Sequence, residues 1–419
     1  MKERIVVAMS GGVDSSVAAA LLKEQGYEVI GITMCFNLAD SAKKRPICCG
    51  LQGIEDARRV AHKLGIRHYV LNMQGLLIGR VIKDFCQEYL KGRTPNPCVR
   101  CNQYIKFGAL LKKTFSLEAK YLATGHYARI LKINRSAASL ASHYLLRKAK
   151  DLNKDQSYFL YRLGQEQLKY VLFPLGNYTK DEVRRIAKEF NLPVADKLAS
   201  QEICFLPNSD YREFLKIEAK KDIKPGPIVD KENNVLGQHK GIAFYTIGQR
   251  QGLGVAKGYP LYITKIDSQN NRIIVGRKED AYAQEFIIRG AHFMHKPINP
   301  VRSPHQRCGN RLWRFTPLES PAIYGGDEIY KFFSPYRKGR VEVRSFLTGF
   351  TSNGVKKKVA LRVKIRYNHQ EELAEIMPYK NKIKVKFIKP QFAITPGQSA
   401  VFYDRDRVLG GGIIDKVLR

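Results

Sequence analysis

Two stretches of this 419-residue chain carry residue types that could do chemistry. The first is Ser10-Gly11-Gly12-Val13-Asp14-Ser15-Ser16, entered from the apolar run Ile5-Val6-Val7-Ala8-Met9. Its two glycines remove the side chains that would keep a polyphosphate off the backbone. Ser10, Ser15 and Ser16 add hydroxyls where the N-terminus of a helix favours anions. The loop lacks the Lys of G-x-x-x-x-G-K-[ST], so a kinase-type or GTPase-type site does not fit. Asp14, an acid beside an anion, makes sense as a holder of Mg²⁺ on the phosphates. A Gly-Gly turn capped by Ser and Asp is the plainer alternative. The second stretch, Thr94-Pro95-Asn96-Pro97-Cys98-Val99-Arg100-Cys101-Asn102, sets a C-x-x-C before the helical IKFGALLKKTF, and a third cysteine, Cys204, lies far along in SQEICF. The helix dipole, Arg93 and Arg100 are expected to stabilise a thiolate and make one cysteine reactive near neutral pH. Structural zinc would need a further ligand pair. Cys48-Cys49 could supply it, although vicinal cysteines rarely chelate one ion. Cys35, Cys86 and Cys308 read as ordinary thiols.

The first two hundred residues alternate strand-like and helix-like stretches: IVVAM, a helix over about 15–25, YEVIGITM, a helix over about 53–64, HYVLNM, a helix through 85–90, and YLATGHYARI. That rhythm predicts a parallel sheet, whose ligands sit at the carboxyl ends of strands. Ser10 to Ser16, Met34 and Gly125-His126 all fall at such ends and can converge on one nucleotide. Thr179-Lys180-Asp181-Glu182 is a capping box opening a helix that runs to about residue 190. From about residue 210 short strands punctuated by Pro and Gly take over. From about residue 281 alternating stretches such as KKVALRVKIRY and NKIKVKFI predict an antiparallel barrel. The expected fold is α/β: a parallel-sheet N-terminal domain over 1–208, a small β-rich central domain over 209–280 and a C-terminal β-barrel over 281–419. A basic insertion around 295–358 elaborates the barrel.

Lys and Arg number 72 against 38 Asp and Glu, a formal net charge of +34. Such an excess attracts polyanions, so a nucleic-acid partner is the first inference, although a generally basic proteome gives the same balance. No apolar run reaches the length of a membrane span, and the N-terminus enters a strand at once, which predicts a cytoplasmic protein with no membrane partner. Eight cysteines in that compartment read as metal or redox chemistry before they read as a disulfide framework.

SGGVDSS resembles the signature of the PP-loop ATP pyrophosphatases (adenine nucleotide alpha hydrolase-like), which cut ATP between its alpha and beta phosphates and leave AMP on a substrate oxygen. With TPNPCVRCNxxIKF, ATGHYAR, KDQSYFL, EICF, GQHKGIAFYTIGQRQGLG and TPGQSAVFY, in that order along the chain, the whole is similar to the tRNA-specific 2-thiouridylase family. The resemblance implies ATP and Mg²⁺ as cofactors and replacement of the wobble-uridine C2 oxygen by sulfur. It implies Cys101 and Cys204 as catalytic residues, and a cysteine desulfurase or relay protein as sulfur donor. Ala8, Met9, Ser10, Gly11, Gly12, Val13, Asp14, Ser15, Met34 and Gly125 are implied around ATP. Asn96, Pro97, Cys98, His126, Lys154, Asp155, Gln156, Arg366, Tyr367 and Gln398 are implied as tRNA contacts, and the central domain as tRNA-binding. Taken singly, each of these last is a polar or core residue without signal.

Many members of that family have Asp where Cys98 stands. The trio Cys98, Cys101 and Cys204 also resembles thiolation relatives that hold a 4Fe-4S cluster on three cysteines. Persulfide relay and cluster both stay open on the sequence. In the basic insertion, Arg302, Arg307, Arg311, Arg314, Lys356, Lys357 and Lys358, with Trp313 and Tyr336, are candidates for RNA contact or for a solvated loop. A PP-loop ligase that adenylates a carboxylate or amide carbonyl for ammonia transfer is the competing enzyme class. An RNA-binding metalloprotein with a degenerate nucleotide fold is the non-enzymatic one. The first needs no thiol trio, and the intact 10–16 loop weighs against the second.

Overall fold

The computed structural model describes residues 2–36, 51–133, 143–198, 203–206, 210–219, 222–294, 350–351, 354–355 and 358–418. Cys48, Cys49, Cys308 and most of the basic insertion, with Arg302, Arg307, Arg311, Trp313, Arg314, Tyr336, Lys356 and Lys357, lie outside the described residues.

Five parallel strands form the first sheet: β1 (Arg4–Ala8), β2 (Glu28–Cys35), β3 (Arg67–Asn72), β4 (Tyr121–Thr124) and, after a hairpin described below, β7 (Val171–Leu172). Their order is β3-β2-β1-β4-β7, so the winding direction reverses between β1 and β4. A crevice opens at the carboxyl ends of strands at such a reversal. Helices α1 (Val13–Glu24) and α2 (Leu51–Lys63) follow β1 and β2. The apolar residues of α1, Val17, Ala18 and Ala19, are fully buried and hold it to the sheet. After β3 come α3 (Gln74–Leu77), α4 (Lys83–Leu90), α5 (Pro97–Cys101) and α6 (Leu111–Ser116). The stretch Asn102–Leu110 between α5 and α6 is π-helical, a winding common at functional sites.

The last part of YLATGHYARI departs from the expected rhythm. Residues 129–133 (β5) pair antiparallel with His143–Arg147 (β6), and this hairpin leaves the first sheet altogether. It joins the C-terminal barrel through β6, where Arg147 faces Arg407. Asp406 takes Arg147 (2.5 Å) and Arg129 (3.2 Å), closing the joint with charge.

Past α7 (Gln165–Leu168), α8 (Lys180–Glu189) has the expected reciprocal cap between Thr179 and Glu182. Then α9 (Tyr211–Glu218) leads into a four-stranded sheet of β8 (Gly226–Val229), β9 (Val235–His239), β10 (Tyr262–Asp267) and β11 (Arg272–Gly276). The C-terminal part holds β12 (Tyr282–Phe293), the short β13 (Phe350–Thr351) and β14 (Gly354–Val355), β15 (Val359–Lys364), β16 (Glu372–Tyr379), β17 (Lys382–Phe392), β18 (Ser399–Asp404) and β19 (Arg407–Leu418). β12, β17, β16, β15, β18 and β19 follow one another and β12 pairs with β19, which closes an antiparallel barrel. Phe286, Val363, Ile376, Val385, Phe387 and Phe402, all fully buried, fill it.

Candidate active site

The cradle forms as the residue types require. Gly11 has φ +71°, and a Cβ there would lie 2.1 Å from the Gly53 carbonyl oxygen, so only glycine fits. Gly12 caps α1 without a side-chain hydrogen bond, leaving the first amides of the helix without a side-chain cap. Ser15 Oγ donates to the Gly12 carbonyl (3.2 Å) and receives the Ser10 amide (3.1 Å), which folds the loop back over the helix start. Ser16 differs from expectation: its fully buried hydroxyl donates to the Gly12 carbonyl at 2.9 Å and holds the turn from behind. Gly125, at the end of β4, closes the other side, with Ser15 N only 2.7 Å from where its Cβ would be.

A cavity of about 340 Å³ opens at the topological reversal. Ala8, Met9, Ser10, Asp14, Ser15, Met34 and Gly125 line it on the cradle side, with Thr33, Phe36, Leu77 and Val81 beside Met34. Pro97, Cys98, Cys101, Asn102, Lys106, His126, Gln156, Phe159, Ile203, Cys204 and Phe205 line the rest. Three thiols from two stretches a hundred residues apart thus face the same space as the phosphate cradle.

Asn96 Oδ1 accepts the Val99 amide (3.3 Å) and Pro97 occupies the first turn, so α5 starts where its sequence directs. The segment before it is gripped by distant parts of the chain. Thr94 N donates to the Pro396 carbonyl (2.8 Å), and the Gln398 side-chain amide donates to the Thr94 (3.0 Å) and Pro95 (3.3 Å) carbonyls. Thr94 Oγ1 also meets Thr246 Oγ1 of the central part at 3.1 Å. Arg93 donates to the Ile414 and Asp415 carbonyls and pairs with Glu88 at 2.7 Å.

Those pairings correct the expected thiol chemistry. Arg93 is held by Glu88 and Asp415, and Arg100 by Asp84 at 3.2 Å. Burial then dominates: it pushes Cys98 up to about 11 and Cys101 up to about 12, with the Lys106 ammonium working against it and the neighbouring thiols with it. Cys204 is exposed while Cys101 is buried. Cys86 is likewise raised by burial, to about 11. Among the described residues no group of three His, Cys, Asp or Glu is set out to hold a single metal ion.

His126 Nδ1 lies 2.7 Å from Thr124 Oγ1 and its Nε2 lies 3.4 Å from Lys106 Nζ. Lysine has no acceptor, so Nε2 accepts and Nδ1 carries the proton; burial keeps the ring neutral, its pKa well below the ordinary value. Asp14 receives the Tyr127 hydroxyl (2.8 Å) and pairs with Lys180 (2.6 Å). Among the described residues it is the sole carboxylate lining the cavity, and one carboxylate beside phosphate oxygens is a donor set that suits Mg²⁺. Sequence reasoning singled out neither Tyr127 nor Lys180 for this place. Lys180 was visible only as part of a capping box.

The remaining implied contacts fall in two groups. Gln156 lines the cavity and its side-chain carbonyl accepts the Tyr127 amide at 3.1 Å. Tyr367 packs on Phe159, ring centroids 4.6 Å apart, at the cavity edge, and Arg366 donates to the Phe392 (3.3 Å) and Ala393 (3.4 Å) carbonyls. Lys154 is half-buried two residues before Gln156. Asp155 is buried, its carboxylate accepting the Ala149 and Ser157 amides and the Ser157 hydroxyl, which fixes the loop carrying Gln156.

Three family models match the chain: one described as tRNA methyl transferase HUP domain over residues 3–208, one as tRNA methyl transferase PRC-barrel domain over 212–277, and one as aminomethyltransferase beta-barrel domain over 340–414. Among curated relatives, the tRNA-specific 2-thiouridylase MnmA 1 of Caldanaerobacter subterraneus subsp. tengcongensis is 46% identical, over 100% of both chains. The tRNA-specific 2-thiouridylase MnmA of Clostridium acetobutylicum is 43% identical, over 99% of this chain and 100% of the relative. That of Halothermothrix orenii is 44% identical, over 98% and 99%. With likeness of this degree running from end to end, the chain belongs to the tRNA-specific 2-thiouridylase family.

Proposed function

We propose that the chain is an ATP-dependent tRNA-uridine 2-sulfurtransferase acting through a persulfide relay between Cys204 and Cys101. The carrying observation is the shared cavity, lined at once by the Ser10 to Ser15 cradle and by the three thiols. The C2 carbonyl of uracil is a poor electrophile because its oxygen leaves poorly. Adenylating that oxygen lets it depart as part of AMP, and the cradle amides receive the pyrophosphate. Asp14 would hold Mg²⁺, which supplies charge neutralisation on the phosphates when bound. Exposed Cys204 accepts a sulfur atom from a cysteine desulfurase or relay protein. Its terminal persulfide sulfur attacks C2, and AMP leaves with the former C2 oxygen. Cys101 thiolate then attacks Cys204 Sγ, so the S–S bond electrons return to the sulfur on C2 and a Cys101–Cys204 disulfide remains. A dithiol reductant resets the pair.

To enter the cavity the base must leave the anticodon stack, at a cost of a few kcal/mol. The net charge of +34 supplies phosphate attraction to offset it. Asn96, Pro97, Cys98, His126, Lys154, Gln156, Arg366 and Tyr367 are the proposed guides for the flipped base and its neighbours.

The test incubates the protein with ATP, tRNA and a persulfide donor, then digests the RNA and weighs it for 2-thiouridine. Wild type should form it. Cys204→Ala and Cys101→Ala should form none while still releasing pyrophosphate in a tRNA-dependent way. An anaerobically purified protein with an iron chromophore that Cys98→Ala abolishes would replace the relay by a cluster. Undiminished thiolation by Cys204→Ala would end the relay as well.

A further inference from the structure

Lys106 is the one Lys or Arg among the residues lining the cavity, and no carboxylate pairs with it among the described residues. Its place there depends on the winding of the helix. Residues five apart in an α-helix lie about 140° apart around the axis. In a π-helix, whose wider turn is closed by the i→i+5 hydrogen bond, they lie about 50° apart and share one side of the helix. Cys101 caps the π-helical stretch Asn102–Leu110 and Lys106 is five residues on, so this winding turns the ammonium onto the thiol face. Gly108 accommodates the winding: a Cβ there would lie 3.0 Å from the Gln103 carbonyl oxygen, five residues back.

Among the described residues, the other ionisable groups lining the cavity with Lys106 are His126, Cys98, Cys101, Cys204 and Asp14, and Lys106 acts on Cys98 and Cys101 directly. His126 accepts from Lys106 and is neutral, and Asp14 has Lys180 as its partner. The ammonium is therefore left to answer a negative charge that arises at sulfur. We propose that Lys106 is a charge-stabilising residue of the sulfur-transfer step, holding the negative charge of the persulfide as it attacks C2 and of the sulfur released when the S–S bond breaks. This rests on the thiolation reading above. It adds no reactant and moves no proton: the bonds made and broken are those already written.

The test measures two products in single turnover, pyrophosphate and 2-thiouridine, for wild type, Lys106→Met and Lys106→Arg in full-length protein with ATP, tRNA and a persulfide donor. Removing one preorganised donor to a developing anion costs about 10²–10³ in rate. Lys106→Met should lose about a hundredfold in 2-thiouridine formation but less than tenfold in pyrophosphate release, so the ratio of pyrophosphate to 2-thiouridine rises. Lys106→Arg should restore at least a tenth of the lost rate. A structural role would lower both products together and leave the ratio unchanged. An unchanged ratio, or wild-type thiolation by Lys106→Met, overturns the inference. A wild-type protein that makes no 2-thiouridine overturns the thiolation reading itself, and the inference with it.

Discussion

Replacing Gly125 by Ala tests whether the end of β4 and the phosphate cradle must touch. The new Cβ would lie 2.7 Å from Ser15 N, 2.8 Å from the Asp14 carbonyl carbon and 3.0 Å from its oxygen. All three are backbone atoms, and the helix they open is pinned by fully buried Val17, Ala18 and Ala19. Reaching ordinary contact needs a shift of about 0.7 Å, which a packed core resists at a cost of roughly 1–3 kcal/mol. For a protein of 419 residues that lowers Tm by about 1–3 °C, at an unfolding entropy of about 2.1 cal/mol/K per residue. The same shift carries the Ser15 amide away from a bound phosphate, and one hydrogen bond to a charged group is worth about 1.5–3 kcal/mol. ATP affinity should therefore fall about 10- to 150-fold. Calorimetric titration with an ATP analogue resistant to alpha–beta cleavage measures it, and tRNA binding on a filter, which should not change, controls for folding. Wild-type nucleotide affinity together with wild-type Tm would refute the reasoning.

Gln398→Ala removes two hydrogen bonds that reach from the barrel to Thr94 and Pro95. If their work is to place the Cys98 to Cys101 helix, kcat for 2-thiouridine formation should fall about thirtyfold, at about 1 kcal/mol per bond. KM for tRNA should stay within about twofold, and a rise in KM alone would make Gln398 a tRNA contact. Burial raises the carboxyl of Asp56, but hydrogen bonds from Lys197, Arg59 and Gln52 overcome it and hold the group at about 2, below the ordinary 3.8. A carboxylate depressed in the folded state stabilises above its unfolded pKa and loses that contribution as pH falls toward its folded one. Asp56→Asn should therefore cost about 2 kcal/mol at pH 7 by denaturant titration, and the gap to wild type should shrink between pH 4 and pH 2. Equal stability at pH 7 would remove Asp56 from the structural account.

Local chemistry was readable where local rules govern. The apolar strand and the glycine turn into a helix follow from a few neighbouring residue types, although α1 starts at Val13 rather than near residue 15 and α5 takes in the C-x-x-C that was expected to precede a helix. The convergence of Met34, Gly125 and the cradle follows from strand ends in a parallel sheet. What sequence patterns do not carry is the partner of each charge. Arg93 and Arg100 looked available to the thiols, but Glu88, Asp84 and a carboxylate 322 residues away hold them, so burial sets the thiols instead. The π-helical winding also left no mark, because IKFGALL suits either helix, and only the cavity shows what the wider turn delivers. The hairpin β5–β6 misled for a related reason: its alternation fits any sheet, and its partner lies at the other end of the chain.

That hairpin ties the order of synthesis to the order of folding. Arg147 finds Asp406 across a separation of 259 residues, and at about 5–20 residues per second a ribosome needs roughly 10–50 s to supply the later one. Through that interval the nascent first domain carries a two-stranded ribbon with an open edge, a surface prone to pair with a wrong neighbour. A truncated chain that stops before β19 would keep the nucleotide crevice and lose the ribbon's mate. Such a fragment should therefore be harder to keep in solution than the full-length polypeptide.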